Sequence, residues 1–227
     1  DRRRKTGQRT ARENLADLVD SDTFVEYGTM ALAAQRRRRT KDDLINRSPA
    51  DGLITGVGAV NSELFDEPTN RCAVMIYDYT VFAGTQGVHN HWKTDRLLGL
   101  AEQGRMPLVL FAEGGGGRPG DTDYGGFVGQ NTFHHFGRLS GLVPMVGIVA
   151  GRCFAGNASL LGCCDVIIAT ADANIGMGGP AMIEGGGLGI FAPEDVGPMA
   201  DQVPNGVVDI AVSDEAEAVD VAKRYLA

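Results

Sequence analysis

A run of four glycines followed by an arginine is the part of this sequence best suited to chemistry. The run, Gly114 to Gly117, lies between Glu113 and Arg118 and follows an apolar segment, residues 106–112, with the pattern of a buried strand. Glycine has no side chain, so its backbone N–H groups stay uncovered and a ligand can approach the main chain closely. Two such N–H groups at the end of a strand can stabilise an oxyanion. The run predicts either a site for a reaction that passes through an enolate or a tetrahedral oxyanion, or a tight turn between a strand and a helix.

The elements that position this run alternate between apolar strands and helices. We predict strands at 24–27, 53–60, 72–78, 107–112, 144–150, 165–169 and 174–177, and helices at 7–20, 88–104, 126–140, 155–164 and 215–226. Residues 34–50 are rich in charge and end beside Pro49, so a loop is predicted there. Buried strands that alternate with helices indicate an α/β fold with crossover connections.

The composition is that of a globular protein. A hydrophobic share of 43% in 227 residues is enough for one large domain or two small ones. No apolar stretch reaches the roughly 18 residues of a membrane span, and no signal-peptide pattern is present, so neither membrane insertion nor secretion is predicted. None of the four cysteines forms a CxxC pair, and Cys163 and Cys164 are adjacent in an apolar stretch. Buried free thiols are expected there, which predicts the reducing cytoplasm.

Charge is distributed unevenly along the chain. Residues 1–47 hold 12 Lys and Arg against 8 Asp and Glu, a balance of +4, whereas residues 48–227 hold 9 against 21, a balance of −12. The basic runs at 2–5 and 36–39 are either solvated surface or a landing site for phosphates. The acidic body and the lack of a nucleic-acid-binding motif argue against nucleic acid as a partner. No Cys or His spacing is typical of a metal site, so no metal is predicted.

Four segments occur in an order that resembles a known family. They are residues 78–85, 113–118, 151–158 and 174–180, preceded by an entry helix that contains residues 10–15. Their order and spacing resemble the N-terminal half of the carboxyltransferase subunit of biotin-dependent acyl-CoA carboxylases, of which the propionyl-CoA and methylcrotonyl-CoA enzymes are well-known members. The resemblance implies an α/β fold of the ClpP/crotonase type, a spiral of ββα units. Residues 1–50 are then an N-terminal helix and basic loop, and residues 51–227 are the crotonase-like core.

The resemblance also implies a reaction. In this family a carboxyl group moves from carboxybiotin, which a carrier protein holds, to the α-carbon of an acyl-CoA. The Gly-Gly of a Ser-Gly-Gly-Ala-Arg motif supplies the N–H groups that hold the thioester enolate. That motif maps to the glycine run, so Gly115 and Gly116 are the predicted catalytic donors. Gly114 and Gly117 are then predicted to line the substrate site, and Arg118 to organise the loop.

A second motif departs further from the family. The stretch Gly-Pro-Cys-Ala-Gly-Gly-Ala of the family reads Gly-Arg-Cys-Phe-Ala-Gly-Asn at 151–157. The resemblance makes Ala155 and Gly156 substrate-binding residues. Arg152 in place of Pro and Phe154 in place of Ala alter the expected acyl pocket, so the sequence does not predict which acyl chain is used.

The resemblance implies cofactors and partners as well. Biotin, as carboxybiotin, and a coenzyme A thioester carry the chemistry, with no metal in this domain. Separately from the resemblance, the clustering of positive charge predicts that Arg37, Arg38 and Lys93 contact coenzyme A, and Lys93 also lies near a helix N-terminus, which attracts anions. The expected partners are a C-terminal carboxyltransferase domain or subunit, the biotin carboxylase and biotin carrier subunits, and further copies of this chain.

Alternative functions remain open at this stage. Glu184, which lies among glycines, could be the acid or base of an enoyl-CoA hydratase or isomerase with a crotonase fold, or a solvent-exposed loop carboxylate. Cys153 has no evident partner base and is interpreted as a buried thiol. The chain shows no second glycine-rich segment for biotin, which the family carries in its C-terminal domain. We therefore expect a half that is inactive alone, or a subunit that binds acyl-CoA without turning it over.

Overall fold

A seven-stranded sheet forms the centre of the protein. The computed structural model describes residues 2–124 and 131–227. The strands are β1 Val25–Tyr27, β2 Leu53–Ala59, β3 Arg71–Tyr77, β4 Leu108–Phe111, β5 Met145–Val149, β6 Arg152–Phe154, β7 Val166–Thr170, β8 Asn174–Gly176 and β9 Ile210–Val212. The sheet order is β1-β2-β3-β4-β5-β7-β9, and β6 pairs with β8 in a separate small sheet. The first two pairings are antiparallel, and all those from β3 to β9 are parallel.

Helices cover both faces of this sheet. They are α1 Arg2–Lys5, α2 Ala11–Leu18, α3 Lys41–Arg47, α4 Val88–Gly104, α5 Thr132–Leu139, α6 Gly156–Leu161, α7 Pro180–Gly185, α8 Met199–Gln202 and α9 Glu215–Tyr225. The predicted α/β alternation is confirmed, and the prediction for α4 has the observed bounds. Of the helix predicted at 126–140, residues 126–130 lie outside the described part. No helix within the described ranges is long and apolar enough to cross a membrane.

The loop prediction for residues 34–50 is wrong where α3 forms. The side chain of Thr40 accepts a hydrogen bond from the Asp43 amide and caps the helix start. Arg39 and Arg47 each form an ion pair with Asp43 from one turn away, at 2.8 and 2.6 Å. Leu44 is fully buried and anchors the helix. The charge that suggested a loop is instead spaced for i,i+4 pairs.

Two apolar clusters lie on opposite faces of the sheet. Leu108 and Leu110 of β4 belong to the cluster that includes residues of α4, α5 and α6. Val109 and Phe111 belong to the other, with residues of α2 and α9. Successive side chains of a strand point to opposite faces, so a strand covered on both sides must be apolar throughout. This explains the continuous apolar run before the glycines.

The same parallel pairing brings the functional segments together. Strands β3, β4 and β5 run side by side in one direction. Their carboxyl ends therefore meet at one edge of the sheet, where ligands of open α/β sheets commonly bind. The segments that follow these strands are residues 78–85, 113–118 and 150–157. The N-terminal elements pack on the same body, since β1 extends the sheet and α2 packs against α9 and β3. The domain boundary at residue 50 stays a prediction.

Two glycine substitutions should change stability in opposite directions. In α4, a Cβ at Gly99 would meet no described atom within 4 Å, so Gly99→Ala should raise the free energy of unfolding by about 0.5–1 kcal/mol. In β2, a Cβ at Gly56 would lie 2.4 Å from both the Phe24 ring and the Val25 carbonyl oxygen. Gly56→Ala should therefore lower it by at least about 1 kcal/mol, because β1 must move. Urea unfolding of both variants measures this, and equal shifts would contradict the packing described.

Candidate functional site

Two loops meet backbone to backbone at the glycine run. A Cβ at Gly114 would lie 2.2 Å from the carbonyl oxygen of Gly84, and a Cβ at Gly84 would lie 2.2 Å from that of Glu113. Both positions therefore require glycine, because any side chain would force the two backbones apart. On its other side, the Gly114 amide donates to the carbonyl of Arg152 at 2.8 Å. The run is thus held between the segments that follow β3 and β5.

The amides of both predicted donors form hydrogen bonds within the chain. The N–H of Gly115 donates to the carbonyl of Ala83 at 3.2 Å. The N–H of Gly116 donates to Oδ1 of Asn157 at 2.9 Å. Gly116 has a φ of +82°, which favours glycine, and it is buried. The catalytic role of Gly115 and Gly116 stays a prediction, and each would have to exchange its present partner for the ligand.

Two neighbouring amides are free of such bonds. Within the described ranges, the N–H groups of Gly117 and Gly156 form no hydrogen bond. Gly117 is exposed, and a Cβ there would meet no described atom within 4 Å. Gly156 is the first residue of α6 and lies close to the run, since a Cβ at Gly116 would be 3.3 Å from its amide nitrogen and 2.6 Å from the Cβ of Ala155. The structure therefore brings two residues of the run, Gly116 and Gly117, together with Ala155 and Gly156 of the second motif.

Arg118 holds the glycine loop in place through a buried side chain. Its side chain is only 4% exposed and forms ion pairs with the carboxylates of Asp51 and Asp121. It also donates to the carbonyl of Thr85 at 2.7 Å, and its guanidinium lies 5.1 Å from the centre of the Phe82 ring. Burial raises the pKa of Asp51, and the charge of Arg118 counteracts this. Arg118 is therefore tied to the protein itself and its side chain does not face solvent.

The basic loop lies beside the far end of the glycine run. Asp123 accepts hydrogen bonds from the amides of Arg36 and Arg37 at 2.8 and 2.9 Å. Arg38 donates to the carbonyl of Gly120 at 3.3 Å. The side chains of all three arginines are exposed. Arg37 and Arg38 are thus cations in solvent next to the segment that follows the run.

Lys93 has a different environment from the one predicted. Its ammonium group donates to the carbonyl of Ala50 at 2.8 Å and to that of Leu53, and the residue is only 9% exposed. Burial lowers the pKa of Lys93 to about 8. These bonds would have to break before the side chain could contact coenzyme A, so its predicted role finds no support in the geometry.

The N-terminus of α4 is already capped by carboxylates. Asp121 accepts a hydrogen bond from the Val88 amide at 3.1 Å, and Asp51 accepts one from the Asn90 amide at 2.8 Å. Free N–H groups at a helix start are what attract an anion. In this helix the carboxylates of Asp121 and Asp51 already accept from these N–H groups, in the place that a bound anion would take.

A buried network of charges supports the residue before the glycines. Glu113 lies 2.5 Å from a guanidinium nitrogen of Arg3, which also contacts Glu215 at 3.1 Å. Asn14 donates to Glu215 as well. Burial raises the pKa of Glu113 to about 7, against the attraction of Arg3 and with the repulsion of Glu215. A Cβ at Gly151 would lie 2.2 Å from Oε1 of Glu113, which fixes the carboxyl against the segment after β5.

The remaining candidates lie apart from this arrangement. Cys153 is fully buried, and burial raises the pKa of its thiol, as expected of an inert cysteine. Glu184 is exposed on α7. No group of three or more His, Cys, Asp or Glu side chains that could hold a metal ion occurs in the part of the chain that is described.

Comparison with known proteins identifies the family. The sequence model of the carboxyl transferase domain matches residues 2–227. The chain belongs to the carboxyl transferase domain family. The methylmalonyl-CoA carboxyltransferase 12S subunit of Propionibacterium freudenreichii subsp. shermanii is 30% identical over 97% of the chain and 40% of its own length. The long chain acyl-coenzyme A carboxylase beta4 subunit of Mycobacterium tuberculosis is 28% identical over 99% and 40%. The chain thus spans about two fifths of these relatives.

Solved structures agree with this carboxyl transferase assignment. A single-chain, multi-domain long-chain acyl-CoA carboxylase has a TM-score of 0.95 and 59% identity, over 99% of this chain and 22% of its own. The transcarboxylase 12S hexamer with methylmalonyl-coenzyme A bound has a TM-score of 0.80 and 26% identity, over 99% and 42%. The expected family and its crotonase-type fold are therefore confirmed.

Several residues that hold the run were not predicted to take part. Asp51 anchors Arg118, and Asn157 accepts from Gly116. The backbone of Gln86 pairs with the run, donating to the Gly116 carbonyl at 2.7 Å and accepting from the Arg118 amide at 2.8 Å. Asn157 was visible as part of the second motif, but nothing in the sequence indicates its partners.

The raised pKa of Glu113 should produce a measurable pH dependence. The pKa is about 7 in the folded chain and 4.5 ordinarily, so the folded state binds this proton more tightly. Its contribution to stability is complete below about pH 4.5 and is lost as the pH rises through 7. Relative to Glu113→Gln, the wild type should lose roughly 1–3 kcal/mol of unfolding free energy between pH 4.5 and 8. Urea unfolding across this range measures the difference. The exposed Glu63→Gln is the control, and parallel curves for wild type and Glu113→Gln would contradict the prediction.

Proposed function

We propose that this chain forms the acyl-CoA side of a carboxyltransferase, which transfers a carboxyl group from carboxybiotin to the α-carbon of an acyl-CoA. The observation that carries the proposal is the meeting of the glycine run with the start of α6. The Gly156 amide nitrogen at the start of α6 lies close to Gly116, the neighbour of Gly117, so the open amides of Gly117 and Gly156 both border this contact, and Arg118 braces the run. Membership of the carboxyl transferase domain family supports this interpretation of the site.

The chemistry requires stabilisation of negative charge on the thioester oxygen. The α-proton of an acyl-CoA is weakly acidic, so its removal leaves an enolate whose oxygen needs fixed donors. We propose Gly117 and Gly156 as these donors, because the amides of Gly115 and Gly116 already have partners. In a comparable site the loss of one such donor costs roughly 2.7–4 kcal/mol. Carboxybiotin, when bound, would supply the carboxyl group, and the biotin anion that remains would take up the α-proton. The described residues of this chain supply position and polarisation.

The remaining parts of coenzyme A fit the basic loop. The exposed side chains of Arg37 and Arg38 lie beside residues 120–123, which continue from the glycine run. We propose that they contact the phosphates of coenzyme A. Lys93 is left out of this proposal because its ammonium group is already bound to two carbonyls.

We propose a long-chain acyl-CoA as the substrate. The support is the 59% identity, over 99% of this chain, to a long-chain acyl-CoA carboxylase.

The proposed partners are a C-terminal carboxyltransferase half, a biotin carboxylase with a biotin carrier, and further copies of the chain. Exposed apolar side chains at Met177, Met182 and Leu188 offer a surface for such a half. The four cysteines, all of them described, are free thiols, which supports a reducing cytoplasm as the location.

Calorimetric titration of the chain with acyl-CoA ligands tests the site. We expect palmitoyl-CoA to bind more tightly than its hexadecyl thioether, which lacks the carbonyl oxygen that the amides would contact. Gly117→Pro removes one amide hydrogen and should reduce that preference by about tenfold or more. Gly117→Ala keeps the amide in an open position and is the matched control. Equal affinity for thioester and thioether in the wild type would contradict the oxyanion site.

Turnover is tested in a chimera in which this chain replaces the matching segment of the long-chain carboxylase that is 59% identical. We expect biotin-dependent carboxylation of palmitoyl-CoA, with a higher kcat/KM than for propionyl-CoA. Loss of this activity in Gly117→Pro but not in Gly117→Ala would support the donor role. Carboxylation of propionyl-CoA alone would refute the long-chain substrate, and hydration of an enoyl-CoA without carboxylation would favour the hydratase alternative.

A further inference from the structure

One buried side chain connects the three segments that form the site. Asn157, the second residue of α6, is completely buried. Its Oδ1 accepts the hydrogen bond from the Gly116 amide at 2.9 Å. Its Nδ2 faces the carbonyls of Gly84 and Glu113 at 3.3 and 3.4 Å. The carboxamide therefore joins the segments after β3, β4 and β5 at the point where they converge.

The side chain of Asn157 also occupies space beside the glycine run that a side chain of the run itself would otherwise need. A Cβ at Gly114 would lie 2.6 Å from Nδ2 of Asn157. In the family motifs quoted above, the position of Gly114 carries Ser and that of Asn157 carries Ala. In this chain the polar side chain is on α6 and the loop is bare. A side chain at Gly114 is thus excluded twice, by the carbonyl oxygen of Gly84 and by the carboxamide of Asn157.

Four consecutive glycines need such a constraint. Glycine populates more backbone conformations than any other residue, so a bare run is costly to hold in one conformation. A carboxamide can accept from an amide and donate to carbonyls at the same time, which neither Asp nor Ala can do. From this geometry, and resting on the proposed function, we propose that Asn157 is a positioning residue. It turns the Gly116 amide inward and fixes the run so that the Gly117 amide faces the ligand.

Hydrogen exchange of the full chain tests the hold on the loop without any assay of activity. Asn157→Ala removes every bond of the carboxamide, so exchange of the Gly116 amide should become at least about tenfold faster. Asn157→Asp keeps an acceptor for that amide but loses the donor to the two carbonyls, so its protection should lie between that of the wild type and that of Asn157→Ala. The control is Asn70→Ala, because Asn70 is also buried but bonds to Ser62 before β3, at the opposite edge of the sheet.

Kinetics of the chimera test the effect on catalysis. Asn157→Ala should lower kcat for palmitoyl-CoA by about tenfold to a hundredfold with a smaller change in KM, because the loop holds the enolate more tightly than the substrate. Asn157→Asp should also lower kcat, because its second oxygen faces two carbonyl oxygens and repels them. Asn70→Ala should leave kcat within about twofold of the wild type.

The outcomes separate this inference from the proposed function. Unchanged exchange at Gly116 in Asn157→Ala would overturn the inference, whatever the activity. Faster exchange of the Gly116 amide in Asn157→Ala with an unaltered kcat would show that Asn157 has only a structural role, and it would also overturn the inference. A wild-type chimera that carboxylates no acyl-CoA would refute the proposed function, and the exchange measurement would still decide whether Asn157 holds the run.

Discussion

The close approach of two backbones, Gly84 against Gly114, is the constraint on which the site depends. No Cβ fits at either position, since each would lie 2.2 Å from a carbonyl oxygen of the other segment. The contact brings the segment after β3 against the segment after β4, so that Arg118 reaches Thr85 and Asp51. The Gln86 backbone continues the same contact, since its amide donates to the Gly116 carbonyl and its carbonyl accepts from the Arg118 amide. The site is therefore mainly a backbone structure, and side chains serve to hold it in place.

Buried charge is arranged around this contact in two separate groups. Arg118 lies between Asp51 and Asp121 on one side, and Arg3 lies between Glu113 and Glu215 on the other. Each arginine is shared by two carboxylates in a poorly solvated place. Burial accordingly raises the pKa of Asp51 and of Glu113. Removing either arginine would leave unpaired buried carboxylates, which is far more costly than losing a surface ion pair.

Hydrophobic periodicity was sufficient to predict most of the framework. The bounds of α4 and the α/β alternation came from local patterns, because a strand covered on both faces must be apolar throughout. The same reasoning failed for α3, where i,i+4 ion pairs and one buried leucine stabilise a helix that has little apolar character. The hydrogen-bond partners of Lys93 could not be predicted either, since Ala50 and Leu53 are distant from it in sequence and contact it only in the folded chain.

The sequence by itself determined the family, the alternation of strands and helices and the position of the glycine run, because these depend on residue types at fixed short spacings. Only the tertiary structure decided which amides are open. Gly115 and Gly116 were the natural choice from the motif, but their amides are bonded to Ala83 and Asn157, whereas those of Gly117 and Gly156 have no partner among the described residues. A hydrogen bond is fixed by distance and angle between groups from separate segments. No local pattern contains that information.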